Sequence, residues 1–265
     1  MSAPVNTRLS PFLVLGDPTP DHTVELARRA VEAGAGALEL GFPYSDPTAD
    51  GPAVAAASQR ALDAGVSTGR ALELLAAIRA EVEVPLNLLV YANLVHARGY
   101  ARFARDVRAA GASSLLVPDI GLEESTPLFD ACREVGLARV LLAGPATDSE
   151  RLKRMDRAVN PDEGGFLYLV SHQGTTGARR DFADAALQRV REVCAAVQSP
   201  VAVGFGLSRP EHVRAVADAG ASLAVVGSAL VSLIPEAPDR ETLLTTWTDN
   251  CRALAAPLLQ ESSRC

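Results

Sequence analysis

A single (β/α)8 barrel, the TIM-barrel architecture, is what this sequence predicts. Short runs of aliphatic and β-branched residues alternate with stretches of helical period along the 265 residues. Three of the helical stretches end alike, at Glu32-Ala33-Gly34, Ala109-Ala110-Gly111 and Asp218-Ala219-Gly220, each followed by alanine and then a strand. Glycine just past a helix supplies the left-handed residue that stops it and turns the chain. No linker or break in composition divides the chain. Residues 1–265 therefore read as one domain, with 1–10 as a short extension before the first strand.

Each unit follows from its own pattern. Residues 12–15 form the first strand, with a helix over 21–33. Residues 37–40 form the second, followed by one long helix over 53–80. The third strand (84–90) precedes a helix over 100–110, the fourth (114–117) one over 123–135, and the fifth (138–142) one capped near Asp148 and ending at 157. The sixth strand (166–170) is followed by a helix over 183–197, the seventh (201–203) by one over 210–219, and the eighth (223–226) by short helical pieces and a helix over 240–255.

Composition narrows the function. A hydrophobic share of 48% supports a sizeable core, and 25 basic against 32 acidic residues give a net charge of −7. No basic cluster stands out, so nucleic acid and anionic membranes are excluded as partners, while a small anionic substrate stays open. The cysteines Cys132, Cys194, Cys251 and Cys265 lie far apart with no metal-ligand spacing, and no signal peptide or membrane-spanning run is apparent. A soluble, cytoplasmic chain is expected.

The chemistry concentrates at strand ends. Glu39 sits alone among aliphatics in Ala37-Leu38-Glu39-Leu40-Gly41, on the opposite face from Leu38 and Leu40. A carboxylate buried there costs several kcal/mol, roughly, unless paired or protonated. Asp50 follows in a loop of turn residues, Phe42 to Pro52. Together they read as an acid–base pair, one on a rigid strand and one on a closing loop. Their bland readings are a paired structural carboxylate and an Asp-Gly turn residue. Tyr168, which ends the sixth strand, is either a site residue or barrel filling. Asp17 before Pro18 reads as a turn former, and Asp119 as a helix cap or site residue. Of the four histidines only His172 falls in a loop expected to fold over substrate.

The last three βα loops are rich in glycine: Gly174 and Gly177 after the sixth strand, Gly204 and Gly206 after the seventh, Gly227 before Ser228 after the eighth. Such loops let backbone N–H groups reach an anion, where barrels often hold phosphate. A dinucleotide fingerprint is disfavoured, because Arg209 stands where its third glycine belongs.

With these motifs in view the chain resembles the tryptophan synthase α subunit family. The likeness runs from Phe12 to about Ile234 and is most specific at Leu15-Gly16-Asp17-Pro18, at Leu38 through Pro52, at Tyr91-Ala92-Asn93, Gly204-Phe205-Gly206 and Gly227-Ser228. The resemblance implies a lyase that splits indole-3-glycerol phosphate into indole and glyceraldehyde 3-phosphate by a retro-aldol reaction, with no metal or organic cofactor. It implies Glu39 as general acid and base, Asp50 as partner of the indole N–H, and Tyr168 beside Glu39. Phe12, Leu89, Tyr91, Leu116 and Phe205 would contact substrate, and Gly177, Gly206, Gly227 and Ser228 would bind phosphate. It also implies a β subunit in an α2β2 complex. Alternatives are a free-standing indole-3-glycerol phosphate lyase of specialised metabolism and a non-catalytic barrel that activates a β-type partner. Two features depart from the family pattern: little sequence precedes the first strand, and His172-Gln173-Gly174-Thr175-Thr176-Gly177 replaces Arg-x-Gly-Val-Thr-Gly.

Overall fold

The computed structural model describes residues 6–170 and 184–259. Its strands close into one parallel barrel in sequence order: β1 (Arg8–Val14), β2 (Leu38–Gly41), β3 (Leu86–Leu89), β4 (Ser114–Leu116), β5 (Ala138–Ala143), β6 (Phe166–Leu169), β7 (Val201–Val203) and β8 (Leu223–Val226). Around it run α1 (Pro20–Glu32), α2 (Pro52–Asp63), α3 (Thr68–Glu81), α4 (Ala92–Arg98), α5 (Tyr100–Ala109), α6 (Thr126–Glu134), α7 (Ser149–Val159), α8 (Asp184–Ala196), α9 (Pro210–Asp218), α10 (Ser228–Val231), α11 (Leu233–Glu236) and α12 (Arg240–Leu259). The predicted barrel is the observed one.

Local chemistry sets the joints. Gly34, Gly111 and Gly220 take φ of +106°, +102° and +96°, the left-handed turn foreseen for them. Ser67 and Asp148 cap α3 and α7 by accepting from the Arg70 and Arg151 amides at 3.2 and 2.8 Å. Buried Trp247 donates its indole N–H to the Leu26 carbonyl at 3.0 Å, pinning α12 onto α1.

Three expectations need correction. The first strand begins at Arg8, so residues 8–10 belong to the barrel and not to an extension; they pair with Leu223, Ala224 and Val225 of β8. Pro11 lies inside this strand, in register with Val226 of β8. The long helix over 53–80 is two helices, broken where Gly65 turns at φ +80° and Ser67 caps the next. The third βα connection holds an additional short helix, α4, set off from α5 by Gly99 at φ +82°.

Register places the site. Phe12, Glu39, Asn87, Ser114 and Ala138 lie side by side across β1 to β5. Neighbours in register share a face, so these residues face the same interior as Glu39. Ser114 donates to the Asn87 amide oxygen at 2.8 Å, satisfying a polar pair inside the barrel.

Candidate active site

Glu39 projects from β2 into the barrel and is 3% exposed. Among the described residues one hydrogen bond reaches it, from the Tyr168 hydroxyl on β6 to Oε1 at 3.3 Å. Burial raises its carboxyl to about 8; Tyr168 opposes the rise and the nearby Asp50 charge adds to it. Glu39 is therefore a carboxylic acid at neutral pH, able to give a proton and take one back. Tyr168 is placed by the absence of a neighbour. A Cβ on Gly204 would fall 2.0 Å from the Tyr168 hydroxyl, so only glycine lets the ring lie there. The same holds at Gly41, where a Cβ would meet the Phe12 ring at 2.7 Å.

Asp50 lies half-buried in the loop between β2 and α2. The Tyr91 hydroxyl donates to its Oδ2 at 3.0 Å and accepts from the Ala49 amide at 3.1 Å. Burial raises Asp50 to about 6, with the Tyr91 bond pulling downward. It is thus largely ionised where Glu39 is not. Their surroundings set the two carboxyls apart, that of Glu39 above that of Asp50.

Around them, Phe12, Leu116, Tyr91 and Phe205 are buried and Leu89 partly so. Leu89 and Leu116 are register partners on β3 and β4. Tyr91, expected among the substrate contacts, is tied to Asp50. Gly206 turns at φ +66° after β7, and Gly227 precedes α10, whose first residue is Ser228. These two loops leave neighbouring strands at the same barrel end. Gly177 and His172 lie outside the described residues.

Two residues resolve differently from their simplest readings. Asp17 is no mere turn former: it is fully buried and accepts from Arg60 on α2 through both oxygens, at 2.7 and 2.9 Å. Its partner lies 43 residues on, a distance no local pattern reveals. Asp119 accepts from the Ala92 amide at 2.9 Å and so caps α4, the helix before it rather than the one after.

A closed parallel barrel with a buried carboxyl on one strand and a second carboxyl in the loop after it has the layout of a barrel enzyme. Comparison with known proteins makes the class particular. The model of the tryptophan synthase alpha chain family matches residues 2–257. The tryptophan synthase alpha chain of Methanothermobacter thermautotrophicus is 43% identical over 235 residues, covering 88% of this chain and 86% of that one. That of Geobacillus kaustophilus is 41% identical over 261 residues, covering 96% and 95%. A solved structure concerned with mutual activation of the tryptophan synthase a2b2 complex of Pyrococcus furiosus superposes with a TM-score of 0.86 at 35% identity, covering 94% of this chain and 98% of that one. The chain belongs to the tryptophan synthase alpha chain family. It is an alpha-type lyase of tryptophan biosynthesis. Among the described residues no helix is long and apolar enough to cross a membrane.

Proposed function

We propose that this chain cleaves indole-3-glycerol phosphate to indole and glyceraldehyde 3-phosphate, with Glu39 carrying the proton in both directions. The protonated Glu39 carboxyl gives its proton to C3 of the indole ring, and the ring nitrogen becomes cationic. Asp50 accepts the ring N–H and stabilises that charge. The Glu39 carboxylate then takes the proton of the side-chain hydroxyl. The C–O bond becomes the aldehyde carbonyl, the bond from C3 to the glycerol carbon breaks, and its electron pair returns to the ring. Glu39 ends protonated, as it began. Tyr168 holds Glu39 and the proton's path. The observation that carries this reading is a buried acid that, among the described residues, is held by a neutral hydroxyl, with a second carboxyl of lower pKa nearby.

Phe12, Leu89, Leu116 and Phe205 supply apolar walls for the indole ring, with Tyr91 at their edge. Gly177, Gly206, Gly227 and Ser228 bind the phosphate through backbone N–H groups and the Ser228 hydroxyl. The chain works in the cytoplasm beside a β-type subunit that docks over the loop carrying Pro43 and Pro47 and receives the indole. Support for the partner comes from the solved relative, which is described as part of an a2b2 complex. Indole release by the purified chain, with and without an added β subunit, tests the reading. Indole and aldehyde in equal amounts, faster with the subunit, are expected. No cleavage in either case would remove the lyase assignment; an unchanged rate on adding the subunit would remove the partner.

A further inference from the structure

We propose that Tyr44 is a positioning residue for Asp50, acting through Tyr91, so that this chain holds its second carboxylate with an aromatic clasp of its own. The proposal rests on the reading of Asp50 given above and names what sets that residue in place.

Tyr44 belongs to the same loop as Asp50. Its ring stacks on Tyr91 with centroids 4.9 Å apart and planes 20° from parallel. Its hydroxyl accepts from the Asn93 side-chain amide at 2.7 Å. Tyr91 in turn holds Asp50 Oδ2 and the Ala49 amide, at 3.0 and 3.1 Å. Asp119 fixes the backbone between these anchors by accepting from the Ala92 amide at 2.9 Å. Three loop residues, Tyr44, Ala49 and Asp50, are thus pinned to Tyr91 and Asn93 at the start of α4. At its root the Phe42 amide donates to the Leu89 carbonyl of β3, and further along the loop makes local turns, Thr48 to Asp46 and Asp50 to Pro47. Such turns shape a loop but do not dock it on the barrel.

The two faces of the clasp have separate tasks. Stacking covers the Tyr91 ring and fixes its plane, and hence the direction of its hydroxyl. The bond from Asn93 fixes Tyr44 itself. Removing the Tyr44 ring frees Tyr91 to turn away, so Asp50 loses orientation and the hydrogen bond that favours its ionised form. The groups facing Asp50 are Tyr91, Glu39 and Tyr168, with Asp119 facing Tyr91. Loss of the Tyr91 bond therefore moves the Asp50 titration upward.

The test measures kcat, KM and the pH profile of indole release for Tyr44→Leu, Tyr44→Phe, Asp50→Asn and Tyr44→Leu with Asp50→Asn. Misplacing a reacting group by a fraction of its reach costs up to about 100-fold. Tyr44→Leu is expected to lower kcat by about 10-fold or more, to leave KM within about threefold, and to move the acid limb upward. Tyr44→Phe keeps the stack and should keep kcat within about threefold. In the Asp50→Asn background, Tyr44→Leu should cost nothing further, because the residue it positions is gone. An unchanged kcat and acid limb in Tyr44→Leu, a loss confined to KM, or the same loss in both backgrounds would overturn the clasp while leaving an impaired Asp50→Asn intact. An Asp50→Asn variant at full kcat would instead overturn the reading of Asp50, and the clasp with it.

Discussion

Two buried carboxyls stand at the ends of neighbouring strands, and the structure treats them in opposite ways. Asp17, after β1, is fully buried and gripped through both oxygens by Arg60. Glu39, on β2, is 3% exposed and, among the described residues, hydrogen-bonded by one neutral hydroxyl. Burial pushes both acids upward, but for Asp17 the guanidinium opposes it with hydrogen bonds and charge. Glu39 has no such counterweight and reaches about 8. A buried acid with a matched cation is a joint; one without is a proton store. Asp17 ties β1 to α2, the helix that starts just past Asp50. Glu39 has no cation on it among the described residues, as the proposed proton exchange with substrate requires.

Substitutions at the two acids should separate these tasks. Glu39→Gln keeps shape and removes the exchangeable proton. Indole release should fall by about 10³- to 10⁴-fold while affinity for a glycerol phosphate analogue stays within about threefold. Asp50→Asn should follow with a loss of about 10²- to 10³-fold, seen in kcat rather than KM. A defect confined to KM would make Asp50 a binding residue only. On the structural side, Arg60→Met strands a buried carboxyl, and chemical denaturation should show a loss of about 2–4 kcal/mol. Replacing both partners, as Asp17→Asn with Arg60→Met, should recover part of it. If Arg60→Met were as stable as the parent, the joint would carry no weight.

The remaining effect is a slope. Between the ordinary carboxyl value of 4.5 and about 8, the folded chain keeps a proton on Glu39 that the unfolded chain has released. Stability of the parent therefore falls as pH rises through this window. Glu39→Gln carries no such proton, so its stability should gain on the parent by up to about 1.4 kcal/mol per pH unit there. Parallel stability curves for the two proteins would contradict a raised Glu39.

The barrel was legible because its signals are local. Period, helix-ending glycines and a lone acid in an apolar strand all lie within a few residues of one another. The break at Gly65 was misread because strongly helical neighbours on both sides masked one turn residue, and the helix opening at Ala92 was missed because two turns following directly on a strand are too short to show a period. Glu39 and Asp50 could be picked out because a carboxyl among aliphatics or beside turn residues is conspicuous. Asp17 could not be separated from a turn former, since Arg60 reaches it only once the barrel closes. Gly204 read as one of the loop glycines that let backbone N–H groups reach an anion, whereas its missing side chain is what admits the Tyr168 ring. Tyr44 carried no signal at all, because a tyrosine in a loop shows its stacking partner only in three dimensions.

The central claim is that Glu39 is a neutral acid at the pH where the enzyme works. Carbon NMR of the protein labelled at glutamate carboxyl carbons, with Glu39→Gln supplying the assignment, titrates that group directly. A midpoint near 8 is predicted, well above the ordinary 4.5. A midpoint at the ordinary value, with Glu39 ionised throughout the active range, would contradict the account.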